Sequence, residues 1–157
     1  MVTKMKYFKL SQDKRIPHGV NPTELHRMAG YHKFRSGDLS GLDDTITLTV
    51  TSNQVNYYPD ILDQHLFMVR GAVKQVFDLF LPGNQYQTCF LLDHDFDRFE
   101  YYHIPVLEII DIPEGITRNQ PIFRIAGAEE IAVAASIEVV EAVLRRRPSG
   151  VRISPIN

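Results

Sequence analysis

Phe123-Arg124-Ile125-Ala126-Gly127, then Ile131-Ala132-Val133, then Ser136 through Arg147, then Gly150-Val151-Arg152-Ile153: the last third of the chain reads as strand, strand, helix, strand. The strands are short apolar or alternating runs, and the helix is legible from its two ends. Ser136 stands where a hydroxyl accepts from a free amide of the first turn. Glu138 lies at the positive end of the helix dipole and Arg145, Arg146 and Arg147 at the negative end, with Glu141 one turn before Arg145. Pro148 and Gly150 stop the helix. This block specifies a fold without supplying a reaction centre.

Upstream of it, Tyr86 to Leu92 and Phe99 to Ile110 are strand-like runs joined by Asp93-His94-Asp95-Phe96-Asp97, the pattern of a β-hairpin. Pro105 lacks a ladder donor and marks an edge, a bulge or a break in the second run. Between Arg70 and Phe80, Val73, Val76, Phe77 and Phe80 recur at i, i+3, i+4 and i+7, which predicts an amphipathic helix ended by Leu81-Pro82-Gly83. The preceding Leu66-Phe67-Met68-Val69 has no period, so a buried strand and a first helical turn fit it equally. Thr45 to Val50 alternates and predicts a strand with one wet face. Tyr7-Phe8-Lys9-Leu10 predicts a first strand, with Ser11-Gln12-Asp13-Lys14 as the turn that ends it. From Ile16 to Asp44 no period persists, and a long irregular segment of this kind is usually mobile or functional.

The chain has 157 residues, which suits one domain, 1–157, with its own core. A formal charge of -2 provides no large field of either sign, so attraction to nucleic acid or anionic membrane is not expected. The single cysteine, Cys89, lies among apolar strand residues and has no internal partner, which fits a reducing compartment. The chain has no leader-like start and no apolar run approaching a membrane span, so the expected location is cytoplasmic.

The motifs that carry chemistry fail on spacing. Asp93, Asp95 and Asp97 begin like a calcium loop, but its sixth position is Arg98 instead of glycine and its twelfth is Ile104 instead of glutamate. A solvated or partner-contacting hairpin tip is the better reading. His18, His26, His32, His65, His94 and His103 have neither H-E-x-x-H spacing nor a cysteine companion. His103 shares a strand face with Phe99 and Tyr101 and reads as a satisfied, partly buried imidazole. Ser11-Gln12-Asp13-Lys14 matches S-x-x-K without its companion motifs, and no nucleophile elbow, P-loop or dinucleotide fingerprint occurs. The three arginines at 145–147 are explained by the helix terminus. Tyr57-Tyr58 and Tyr101-Tyr102 each split across two strand faces, so one ring of each pair points outward, where tyrosine favours protein contacts.

The pattern resembles a bacterial family of cytoplasmic immunity proteins associated with polymorphic toxins, formerly catalogued as a domain of unknown function. The resemblance rests on Lys6-Tyr7-Phe8-Lys9-Leu10-Ser11, on Leu66-Phe67-Met68-Val69 leading into the Arg70–Phe80 helix, and on the hairpin carrying Tyr101-Tyr102 and ending Ile109-Ile110-Asp111-Ile112. The closing block from Ile122 to Ile153 is its nearest part. The connection from Asp111 to Pro121 is shorter than in many relatives. The family supplies no catalytic residues, so none are assigned here.

The expected fold is α+β: a mainly antiparallel sheet of short strands with two amphipathic helices packed against it. The resemblance implies a binding protein that neutralises a cognate toxin by direct contact, with no cofactor and no metal. The candidate contacts lie in the irregular and charged parts of the chain: Asp43, Asp44, Tyr58, Asp95, Asp97 and Tyr102. Two other classes stay open: a small hydrolase-type enzyme using the 17–44 segment with His18, His26 or Asp38, and a structural or regulatory homo-oligomer subunit.

Overall fold

The computed structural model describes residues 6–23, 25–27, 31–37, 45–111, 120–127 and 130–156. In chain order the elements are β1 (Tyr7–Gln12), α1 (Tyr31–Ser36), β2 (Thr45–Thr49), β3 (Ile61–Leu62), β4 (Met68–Val69), α2 (Gly71–Phe80), β5 (Tyr86–Asp93) and β6 (Arg98–Pro105). They continue with β7 (Ile109–Ile110), β8 (Ile122–Ile125), β9 (Val133–Ser136), α3 (Ile137–Arg145) and β10 (Val151–Pro155). The fold is α+β, with the strands in two five-stranded sheets instead of one, ordered β10-β1-β9-β8-β7 and β2-β5-β6-β4-β3. Both sheets are mixed: β2 runs parallel to β5 and β7 parallel to β8, while the other pairings are antiparallel.

The run with no period explains how the two sheets share an interior. Ile61, Phe67 and Val69 point into one core with Leu10, Ile122, Val133 and the buried faces of α2 and α3. Leu62, Leu66 and Met68 point into the other, with Leu48, Cys89, Leu91, Tyr102 and Ile104. A segment buried on both faces has no polar side to alternate with, so its sequence shows none. Each fully buried Val, Leu or Phe contributes about 1.5–3 kcal/mol relative to exposure. On α2 the buried residues are Val73, Val76 and Phe77; on α3 they are Val139, Val140 and Val143.

Several boundaries differ from the sequence reading. β1 continues through Ser11 and Gln12, because β10 extends alongside and pairs with them (Ser11 with Arg152, Gln12 with Val151). The strand expected at 131–133 begins at Val133 and runs to Ser136. The second hairpin run breaks after Pro105, and Ile109–Ile110 joins the other sheet beside β8. Part of the segment read as irregular is helical, with a 3₁₀ turn at Leu25–Arg27 and α1. Its Val20, Leu25 and Phe34 are core residues, so that segment closes the inner face of the second sheet. At α3 the Ser136 hydroxyl accepts from the Val139 amide, and the Arg146 guanidinium bonds the Ala142 carbonyl at the far end. Among the described residues no helix is long and apolar enough to cross a membrane.

The sheets are locked by polar contacts around Asp60 and Arg70. Asp60 is buried; its Oδ2 accepts from the Ser149 amide at 3.0 Å, and its Oδ1 lies 3.5 Å from Arg70 Nε. Arg70 precedes α2, reaches Glu100 of β6 at 2.9 Å, and donates to the Tyr58 carbonyl at 2.9 Å. Its guanidinium also sits 5.8 Å from the centre of the Tyr102 ring. Gly150, at φ +69°, passes against Pro59 so closely that a Cβ would collide with the proline ring, so only glycine serves there. Arg70→Leu leaves the Asp60 carboxylate buried without its cation. It is expected to destabilise the protein by about 3 kcal/mol in urea titrations at pH 7; a change under about 1 kcal/mol would remove this junction from the account.

Candidate functional site

Period-2 alternation in the β5–β6 hairpin gives each strand two apolar faces. Inward go Cys89 and Leu91 from β5 and Tyr102 and Ile104 from β6, all part of the core. Outward go Tyr86, Thr88, Phe90 and Leu92 opposite Pro105, His103, Tyr101 and Phe99. One end of this outer face is covered. Tyr86 donates to Asp78 Oδ1 of α2 at 2.8 Å, and Lys74 lies 2.9 Å from Asp78 Oδ2 and 4.6 Å from the centre of the Tyr86 ring. His103 packs edge-on to Tyr86, with its Nδ1 3.2 Å from the Thr88 hydroxyl.

The other end is uncovered. Phe90, Phe99 and Tyr101 form an aromatic cluster with ring centres 5.0, 5.1 and 6.3 Å apart, yet Phe99 is 55% and Tyr101 49% exposed. Beside them stand the exposed Thr45, Thr47 and Thr49 of β2, with Thr47 level with Phe90. At the hairpin turn Phe96 is 44% exposed between the exposed Asp95 and Asp97. The Arg98 side chain turns away, donating to the Asn56 carbonyl at 2.9 Å and lying over the Tyr58 ring. A rigid strand pair thus presents a half-wetted aromatic patch edged by two carboxylates.

Asp93, Asp95 and Asp97 part company. Asp93 is fully buried, with Oδ2 accepting from the Asn56 side chain at 2.9 Å and from the Asn53 amide at 3.3 Å. Burial raises its pKa, but hydrogen bonds from Ser52, Asn53, Asn56 and Phe96 outweigh that and hold the carboxyl below the usual carboxylate range. The first carboxylate of the calcium-like run is therefore a structural ligand for the 52–56 loop. Among the described residues no group of three or more His, Cys, Asp or Glu is placed to hold a metal. Burial pushes the Cys89 thiol up to about 12, so this sulfur is core and not a nucleophile at neutral pH.

Tyr101 and Tyr102 do split across the two faces of β6, whereas Tyr57 and Tyr58 lie outside the strands, Tyr57 making only an isolated bridge to Gly19; in both pairs the member expected to face outward is the buried one. Tyr102 is 0% exposed and donates to the Pro59 carbonyl at 2.6 Å, and Tyr58 is 4% exposed beneath Arg98. Neither can touch a partner; Tyr101 faces out instead, and the Tyr57 hydroxyl meets that of Ser149. Asp95 and Asp97 are exposed as expected, and Asp43, Asp44 and Asp38 lie outside the described residues, as does most of the 111–121 connection. His18 is exposed at φ 64°, and the His26 side chain is not described. A cavity of about 30 Å³ beside α1, lined by Phe34, Leu66, Phe67, Ile104 and Arg124 among others, has room for one water and not for a substrate.

Phe90, Phe99 and Tyr101 escaped the sequence reading because both faces of the hairpin are apolar, so alternation alone does not say which is inside. The threonines of β2 carried the missing signal, since they mark the wet side of the neighbouring strand. No family model matches the chain, and no curated protein is significantly similar to it.

Tyr101→Ser is expected to change stability by under about 1 kcal/mol, whereas Tyr102→Phe, which strips a buried hydrogen bond, costs about 1–2 kcal/mol. Equal losses in thermal melts would show that the faces are assigned wrongly. Burial, aided by Lys74 and opposed by Asp78, holds the His103 imidazole below its ordinary range. The unfolded chain therefore protonates first on acidification, near the ordinary pKa of about 6.5. Stability contributed by neutral His103 is complete above that pH and is lost as pH falls towards the lower folded value. His103→Gln should flatten this part of the stability profile between pH 7.5 and 5, measured by urea denaturation; an unchanged slope would contradict it.

Proposed function

We propose that this chain is a binding protein that neutralises a cognate bacterial toxin by direct protein contact, and that the uncovered face of the β5–β6 hairpin makes the contact. The observation that carries this reading is the Phe90–Phe99–Tyr101 cluster, held by the strand register and left half in water. Exposed aromatic rings on a rigid scaffold are the residue type that dominates protein interfaces, because they bury large area with few rotatable bonds. Asp95 and Asp97 supply a polar rim on one side and the threonines of β2 supply one on the other. The resemblance to immunity proteins gives the partner's class, and the geometry supports contact through a face over a cleft-based mechanism.

A second copy of the chain is the competing occupant of the same face, and sedimentation equilibrium across a hundredfold concentration range separates the two. The decisive experiment co-expresses the chain with each toxin candidate encoded beside it and scores growth, then measures affinity by calorimetry. Protection by the unaltered chain, with Phe99→Ala and Tyr101→Ala each weakening binding about 30-fold or more, is the expected result. If no neighbouring gene product binds, the neutralisation reading fails. Binding with unaltered affinity by both variants would place the contact elsewhere.

A further inference from the structure

In the first sheet β1 is longer than one of its neighbours. Its pairing with β9 ends at Leu10 opposite Val133, while its pairing with β10 continues through Ser11 and Gln12. Beyond that point β1 has a strand on one side only, and a cleft of about 360 Å³ opens there, lined from β1, β10 and the 130–131 approach to β9. Its lining is mostly polar, with four cations, Lys9, Lys14, Arg15 and Arg152, against two carboxylates, Asp63 and Glu130.

Two of the cations are fixed from behind. Lys14 lies 3.2 Å from the nearly buried Asp63, whose other oxygen accepts from the Gln12 amide at 3.0 Å. Arg15 is gripped by both oxygens of Asp13 at 2.9 and 3.1 Å. The other two, Lys9 and Arg152, make no ion pair among the described residues; Arg152 feels the Asp13 carboxylate only at a distance, and Arg15 already occupies both of its oxygens. Ser11 pairs with Arg152 and Lys9 with Ser154, so Lys9 and Arg152 are diagonal neighbours on one sheet face, their Cα atoms roughly 7–8 Å apart, with Ser11 and Ser154 at the other two corners. Like charges in that position repel each other, and an anion between them removes the repulsion while accepting charge-assisted hydrogen bonds from both. Asp63 is taken up by Lys14 and the Gln12 amide, which leaves Glu130 as the lining carboxylate that would repel a wholly anionic ligand and accept from a hydroxyl group.

We propose that this cleft binds a small phosphate monoester bearing hydroxyl groups, with the phosphate between Lys9 and Arg152 and a hydroxyl on Glu130. The site stands apart from the aromatic face and does not depend on toxin neutralisation. Its test is a heteronuclear NMR titration at constant ionic strength with ribose 5-phosphate and, separately, inorganic phosphate. Saturable shifts of the Ser11, Lys14 and Arg152 amides are expected. Lys9→Gln and Arg152→Gln should each weaken both probes about tenfold. Glu130→Gln should weaken ribose 5-phosphate alone. All three side chains sit at the surface, and unchanged spectra away from the cleft establish that the variants fold. Shifts that stay linear to the highest concentration, or that survive Lys9→Gln and Arg152→Gln, would overturn the site. A Glu130→Gln variant that treats both probes alike would overturn the ester.

Discussion

Asp60 is a carboxylate that the fold withdraws from water, and the surrounding chain is arranged to answer its charge. Left alone, such a charge costs several kcal/mol; satisfied, it dictates what must stand beside it. Arg70 has to lie at the start of α2, and the Ser149 amide has to arrive just before β10. Because the same guanidinium reaches Glu100 of β6, one side chain fixes a helix of the first core, a strand of the second sheet and the entry to the last strand of the first. Apolar packing would hold these parts together with more tolerance for slippage. The ion pair trades some of that stability for a defined arrangement.

With the junction fixed, the reach of α2 decides what is left in water. Ten residues of helix extend about 15 Å, while eight residues of β5 extend about 26 Å. Even laid along the strand, a helix of that length would cover little more than half of it, and α2 reaches it only at the Tyr86 end. Lys74, Asp78 and Tyr86 mark the covered half, and Phe90, Phe99 and Tyr101 the bare one. Apolar rings in water are a liability unless something uses them. A chain whose stability comes from cores elsewhere can carry that exposure.

The elements with a one-sided environment were legible from the residues: the Val73-Val76-Phe77 stripe of α2, the Ser136 cap of α3 and the alternation of Thr45 to Val50. Where the environment is two-sided, pattern was silent. Leu66 to Val69 is buried on both faces, and the hairpin is apolar on both, so neither its strand character in the first case nor its inner face in the second could be extracted. That two-sidedness also hides which of Tyr101 and Tyr102 is buried, while Tyr58, outside the strands, owes its burial to the loop that packs it under Arg98. Partner strands distant in sequence set the remaining boundaries: β10 lengthens β1, and Pro105 passes Ile109–Ile110 to the other sheet. The helical turns between 25 and 36 have too short an apolar stripe to declare themselves.

The position of β1 inside its sheet has a consequence for how the chain comes to be folded. Both of its neighbours, β9 and β10, belong to the far end of the sequence, and Ser11 bonds to a residue 141 positions away. β1 is therefore synthesised long before either strand that pairs with it, and at roughly 5–20 residues per second it waits on the order of ten seconds with two open edges. The β5–β6 hairpin closes locally and needs no such delay. Synthesis should accordingly give a half-formed domain whose second sheet can assemble while the first is still missing its centre. In that interval the exposed β1 edge, not the aromatic face, is the segment most in need of protection from neighbouring chains.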